Sequence, residues 1–133
     1  MIRVLLIEDN HGDAVLIRQT LNASRNPAFD LQHANRLDEG LEWLAAGNFD
    51  VLLLDLGLPG SGGYQTFTRA SNAAGGVPII VFTGTDDAQI VLECIKGGAK
   101  DYFVKSRIER EQLIQSIQRV VHQKLKVNRA DSV

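Results

Sequence analysis

An α/β fold, with a parallel sheet covered by helices on both faces, is predicted by three observations. Strand-like and helix-like segments alternate along the whole chain, five of each. Three of the strand segments carry apolar residues at consecutive positions, the pattern of strands buried on both faces. Two of those three end in carboxylates, Glu8-Asp9 and Asp55, and Asp55 runs straight into Gly57, Pro59, Gly60, Gly62 and Gly63.

The elements follow in order. Ile2 to Ile7 is the first apolar strand, and the next helix carries Val15, Leu16, Ile17 and Leu21 as one broad stripe, ending near Asn26-Pro27. Phe29 to Ala34 alternates apolar with polar residues, as an edge strand with one wet face does. Leu37 to Ala46 is a helix with Leu41 and Leu44 inward, stopped by Gly47-Asn48. Val51 to Asp55 is a buried central strand. A weak helix over Tyr64 to Ala70 is expected to fray at Ser71-Asn72 and Gly75-Gly76.

Pro78 to Thr83 is the fourth strand, with proline tolerated at its start. Asp86-Asp87 opens the fourth helix with negative charge where the helix dipole favours it, and Gly97-Gly98 closes it. Asp101 to Val104 is a short fifth strand. The last helix, Ile108 to Leu125, carries Leu113, Ile114, Ile117, Val120, Val121 and Leu125. One domain over residues 1–126 is expected, with a solvated tail over 127–133.

Right-handed crossovers place the most apolar strands, first, third and fourth, in the middle. The result is a three-layer, doubly wound (βα)5 sheet of flavodoxin-like order 2-1-3-4-5. Its switch point lies between strands one and three, where ligands bind in such sheets. Glu8, Asp9 and Asp55 all fall there.

Bulk properties narrow the function. The 133 residues are 44% hydrophobic and 23% charged, with a formal net charge of -2, so no overall field favours nucleic acid or an anionic membrane. No apolar stretch is long enough to cross a bilayer, and the acidic start does not resemble a secretory signal. A single cysteine, Cys94, excludes an internal disulfide and fits a reducing, cytoplasmic setting; within a helical pattern it reads as a small buried apolar residue. His11 reads as a solvated helix-start residue rather than a base, and Trp43 as a packing residue with no cofactor.

Three carboxylates at one cleft suit a hard divalent cation, with Mg²⁺ the expected cofactor, and few nitrogen or sulfur ligands are at hand for zinc. Thr83 ends the fourth strand with a hydroxyl, Gly84 leaves room beside it, and Lys105 follows the fifth strand with a positive charge. Singly, each is an ordinary strand-end or surface residue. Together, a carboxylate nucleophile, a cation, a hydroxyl and a lysine are what phosphoryl transfer to aspartate requires.

Four segments carry a family resemblance: Val4 to Asn10, Leu53 to Gly60, Pro78 to Gly84, and Gly98 to Lys105. In this order and spacing they resemble the receiver domain of two-component response regulators, over about Ile2 to Leu125. The resemblance implies that Asp55 is the phosphoacceptor and that Glu8 and Asp9 are metal carboxylates, with the Gly57 carbonyl a further ligand. It implies that Thr83 and Lys105 contact the phosphoryl group, and that Tyr102 is the aromatic that turns on activation. It also implies a histidine kinase or histidine phosphotransfer protein as donor, a downstream protein partner on the α4-β5-α5 surface, and no direct contact with nucleic acid or membrane. The apolar fifth helix suits a homodimer, though core packing is its leading use.

One departure stands out. Receivers usually carry proline after the lysine, often behind a cis bond; here Ser106 follows Lys105. A cis bond before serine would cost roughly 3 kcal/mol, against under about 1 before proline, so a trans bond is expected. Ser106 also motivates a second reading, a docking domain that has lost the switch. A third, a hydrolase with an aspartyl-phosphate intermediate, would need an acid/base aspartate where Gly57 stands, so self-catalysed transfer rather than turnover is expected. A flavin site is excluded, because Glu8-Asp9-Asn10 would repel the flavin phosphate.

Overall fold

Val51, Leu52, Leu53 and Leu54 are each fully buried, and so are Val4 to Ile7 and Ile80 to Phe82. Strands apolar on both sides need helices above and below. The computed structural model describes residues 1–60, 62–84 and 87–131, and its side chains through residue 126. Its first elements are β1 (Ile2–Ile7), α1 (His11–Asn22), β2 (Phe29–Ala34), α2 (Leu37–Ala46) and β3 (Val51–Asp55). Then come α3 (Gly63–Ala74), β4 (Ile79–Thr83), α4 (Ala88–Lys96), β5 (Asp101–Val104) and α5 (Arg110–Asp131). A short 3-10 turn, Lys105–Arg107, joins β5 to α5.

The five strands form one sheet in the order β2-β1-β3-β4-β5, and every neighbouring pair is parallel. This is the expected flavodoxin-like topology. Successive side chains along a strand point to opposite faces. Leu5, Ile7, Leu52 and Leu54 therefore pack with Leu37, Leu44, Phe67 and Cys94 beneath α2, α3 and α4. Val4, Leu6, Leu53, Ile80 and Phe82 pack with Ile17, Leu21, Leu113 and Ile117 beneath α1 and α5.

The helices depart from expectation in instructive ways. On α1 the buried residues are Ala14, Ile17 and Leu21, spaced i, i+3, i+7, whereas Leu16 is 63% exposed. The stripe is narrower than four neighbouring apolar residues suggested. Helix α3 does not fray at Ser71-Asn72; Phe67, Ala70 and Ala74 bury one face to its end, and Gly75 stops it in the left-handed region at φ +57. Helix α5 starts at Arg110 and runs to Asp131, and Leu125 is 56% exposed rather than inward. The expected tail, 127–133, lies outside the described side chains, with a helical backbone as far as Asp131.

Asp86 lies outside the described residues. Its neighbour Asp87 caps α4, its carboxylate accepting the Ile90 amide at 3.3 Å. Cys94 is fully buried, and burial with the Glu93 charge pushes its thiol up to about 11, which makes it inert. Trp43 is half-buried against the α2-α3-α4 core.

Candidate functional site

Ile7 pairs with Leu54 across β1 and β3, so the next step of the register sets Glu8 beside Asp55. Both residues stay tied to the ladder: the Glu8 amide donates to the Ala34 carbonyl at 3.0 Å, and the Leu56 amide to the Phe82 carbonyl at 2.8 Å. His33 Nε2 donates to the Glu8 carbonyl at 2.7 Å and fixes that strand end further. Glu8 is fully buried, Asp55 is 1% exposed, and Asp9 faces solvent.

Two buried carboxylates side by side are strongly unfavourable unless a positive charge offsets them. Lys105 supplies it. Its ammonium lies 2.7 Å from Glu8 Oε1, 3.1 Å from Asp55 Oδ2 and 3.1 Å from Asp13 Oδ2. The one cis peptide bond among the described residues is Asn26–Pro27, so Lys105–Ser106 is trans. Ser106 therefore does not prevent the lysine from reaching the aspartate.

The protonation pattern follows from these contacts. Burial, with Asp55 alongside, pushes the Glu8 carboxyl up to about 8 despite its contact with Lys105. Burial would raise Asp55 too, but the Glu8 contact, the Gly57 amide (2.8 Å to Oδ1) and Lys105 together hold it below the ordinary value. Burial opposes the charge on Lys105, and its pairing with Glu8, Asp13 and Asp55 wins, raising the ammonium above its usual range. These opposite shifts favour the pair sharing one proton, held more readily by Glu8 than by Asp55.

Carboxylate oxygens of Glu8, Asp9 and Asp55 lie within 4.8 Å of one another. Glu8 Oε1 and Asp55 Oδ2 are buried without a well-aligned hydrogen bond. An all-oxygen donor set whose two buried oxygens are held by the lysine charge alone fits a hard divalent cation. Position 57 is crowded: a Cβ added at Gly57 would come within 3.3 Å of Asp55 Oδ1.

The other expected site residues are spread around this group. Thr83 is buried at the end of β4, in register with Val104, and a Cβ at Gly84 would meet open space. Tyr102 is 42% exposed on β5 and lines a shallow groove of about 450 Å³ with Arg107, Gln112, Gln115 and Arg119. His11 is exposed at the start of α1. Sequence reasoning missed Asp13 and His33. For Asp13 a signal existed: it stands three residues after Asn10, whose side chain caps α1 by accepting the Asp13 amide at 2.9 Å. That spacing puts a carboxylate on the first helical turn above Glu8-Asp9. Nothing local marks His33.

Comparison with known proteins identifies the family and the fold. The family described as the response regulator receiver domain matches residues 4–118. The cell cycle transcriptional regulator CtrA of Caulobacter vibrioides is 29% identical over 119 residues, covering 90% of this chain and 50% of the relative. The transcriptional regulatory protein DltR of Streptococcus agalactiae is 32% identical over 115 residues, covering 86% and 50%. The chain thus spans about half the length of the curated relatives it matches. Among solved structures, a CheY-like receiver domain from Methanospirillum hungatei superposes with a TM-score of 0.82 at 21% identity, covering 95% of this chain and 98% of that one. The receiver domain of an HD domain-containing protein from Pseudomonas fluorescens gives 0.84 at 18% identity, covering 96% and 92%. No helix among the described residues is long and apolar enough to cross a membrane.

Proposed function

This chain belongs to the response regulator receiver domain family, and from that premise we propose that Asp55 accepts a phosphoryl group in a Mg²⁺-dependent reaction. The observation that carries the reading is the buried Asp55 carboxylate with the Lys105 ammonium 3.1 Å away. An oxygen of Asp55 attacks phosphorus, forming the acyl phosphate. The donor's bond to phosphorus breaks, and its electron pair leaves with the imidazole nitrogen of a phosphohistidine or with the carboxylate of acetyl phosphate. Lys105 pairs with the transferred oxygens, and Thr83 offers its hydroxyl from the end of β4. Glu8, Asp9, Asp55 and the Gly57 carbonyl would hold Mg²⁺. When bound, the ion neutralises negative charge on the phosphoryl oxygens.

The donor is a histidine kinase or a histidine phosphotransfer protein, and the setting is cytoplasmic. The phosphoryl group adds about -1.5 to -2 charges at the site. Thr83 moves toward it, and Tyr102 turns inward to fill the space that opens. The α4-β5-α5 surface then changes for a downstream partner, which includes a second copy of the chain. With Gly57 where hydrolases need an acid/base aspartate, the domain undergoes self-catalysed phosphorylation and dephosphorylation rather than substrate turnover.

The test is intact mass after incubation with acetyl phosphate and Mg²⁺, for wild type and Asp55→Asn in parallel. One added phosphoryl group, absent without Mg²⁺ and absent in the variant, is expected. Labelling of Asp55→Asn at the wild-type rate would refute the assignment.

A further inference from the structure

Among the described residues Lys105 has three carboxylate partners, two of which belong to the acidic group at the strand ends. The third is Asp13, on the first turn of α1 and 3.1 Å from the ammonium. Asp9, which completes the acidic group, is not among the ion-pair partners of Lys105 in the described residues. The backbone fixes where Asp13 stands. The Asn10 side chain accepts the Asp13 amide at 2.9 Å, and the Asn10 carbonyl accepts the Ala14 amide at 3.0 Å. Asp13 and Lys105 also line a cleft of about 160 Å³ with Leu16, Ile17 and Ile108. That cleft gives the lysine side chain somewhere else to go.

We propose that Asp13 is a positioning residue that keeps the Lys105 ammonium beside Asp55 when a divalent cation occupies the carboxylates. The proposal rests on the reading of Asp55 as the phosphoryl acceptor and of Glu8, Asp9 and Asp55 as the cation's ligands. Those ligands include two of the three groups that now hold Lys105. A cation there competes for them and repels the ammonium at close range. Asp13 lies outside the ligand set, so it is the partner the lysine retains. The Asp13 carboxylate keeps Lys105 within reach of a phosphoryl group on Asp55. Without it, the side chain can lay its methylenes along the cleft beside α1 and swing its ammonium out to water.

The test uses ¹⁵N-labelled protein, following the Lys105 Nζ signal with and without Mg²⁺ in wild type, Asp13→Asn and Asp13→Glu. The Asn10 cap uses the Asp13 amide and not its carboxylate, so Asp13→Asn keeps the helix start, and urea unfolding verifies this. In saturating Mg²⁺ the Lys105 ammonium should keep slow hydrogen exchange in wild type and Asp13→Glu, and lose it in Asp13→Asn. Labelling by acetyl phosphate should slow roughly fivefold in Asp13→Asn, as expected for a misplaced catalytic group, and recover in Asp13→Glu. The half-saturating Mg²⁺ concentration should change less than about twofold, because a partly exposed charge outside the ligand set is well screened. Unchanged exchange and labelling in Asp13→Asn would overturn the proposal. Faster labelling would overturn it too, making Asp13 a competitor of the phosphoryl group. If wild type takes no label at all, the phosphoryl reading fails on its own, and the ammonium signal still decides the role of Asp13.

Discussion

The Lys105 ammonium lies 2.7 Å from Glu8 Oε1, closer than the 3.1 Å that separates it from Asp55 Oδ2. The lysine thus stands between two buried carboxylates and serves as the site's internal cation. In this state the cluster is compensated by a residue 50 positions beyond Asp55 in the chain, carried there by the turn after β5. Site assembly and the docking of β5 are consequently linked, because that docking brings in the charge that offsets the two buried carboxylates.

Removing that charge exposes the linkage. Lys105→Met keeps a chain of comparable length and leaves Glu8 and Asp55 buried without compensation. Stability at pH 9 should fall by about 3–5 kcal/mol, the usual consequence of stripping one partner from a buried pair. The loss should be smaller at pH 6, where Glu8 carries a proton, and Mg²⁺ should recover part of it. Urea unfolding with and without Mg²⁺ measures this; a loss under about 1 kcal/mol at pH 9 would show that Lys105 is not the compensating charge.

The pH dependence has a definite sign. Glu8 is raised from 4.5 to about 8, so its folded form holds a proton that the unfolded chain has already released. Its contribution to stability is fully present below pH 4.5 and is lost as pH rises through 8. Without divalent cations, stability should therefore decline between about pH 5 and 9, by an amount on the order of a few kcal/mol. Asp55, lowered from 3.8, acts in the opposite sense and loses its contribution only in acid. Glu8→Gln should flatten the decline, and stabilisation by Mg²⁺ should be larger at pH 9 than at pH 6, since the ligands must be deprotonated. Chemical denaturation across that range decides it; a metal-free profile that rises from pH 6 to 9 would show that Glu8 is not the proton holder.

What the sequence revealed and what it hid have physical causes. Strands β1, β3 and β4 were legible because burial on both faces forces consecutive apolar residues, and their carboxylate ends were legible because a charge there breaks the run. For Asp13 the helix-cap spacing from Asn10 marked its place on the first turn of α1, but its contact with Lys105 depends on the tilt of α1 over the strand ends, which no local pattern encodes. His33 was hidden because it acts through a backbone carbonyl, and any strand residue can be adjacent to one. The inner face of α1 was misread because Val15 and Leu16 are apolar yet turned outward, and composition alone does not say which of four neighbouring apolar residues face the sheet.

The orientation of α1 can be measured. Ile17 is buried among Val4, Leu6 and Leu53 at the α1 face, while Leu16 faces solvent beside the small cleft. Ile17→Ala should destabilise by about 2–5 kcal/mol through lost transfer energy and the cavity left behind. Leu16→Ala should stay within about 0.5 kcal/mol, as for an exposed position. Guanidinium melts of the two variants give the comparison directly. Equal losses would mean that α1 turns Leu16 as well as Ile17 toward the sheet.

The proposed switch couples Thr83 to Tyr102. Tyr102 is 42% exposed on the edge strand β5, and its register partner Val81 lies two residues before Thr83 on β4. If Thr83 moves toward a phosphoryl group on Asp55, the space it leaves lies next to β5, where an aromatic ring can enter and bury apolar area. Tyr102 should then become less accessible in the phosphorylated protein, and its ring resonances should shift and broaden as it packs. Tyrosine-labelled protein, with Tyr64→Phe to remove the second tyrosine, isolates the signal. Thr83→Ala should separate the two events, so that molecules bearing the phosphoryl group retain an exposed Tyr102. Tyr102 accessibility that is the same in labelled and unlabelled wild type would leave the phosphoryl chemistry standing and remove the aromatic from the switch. Tyr102 burial in labelled Thr83→Ala would instead show that the signal reaches β5 by another route, with Lys105 at the end of that strand the next residue to vary.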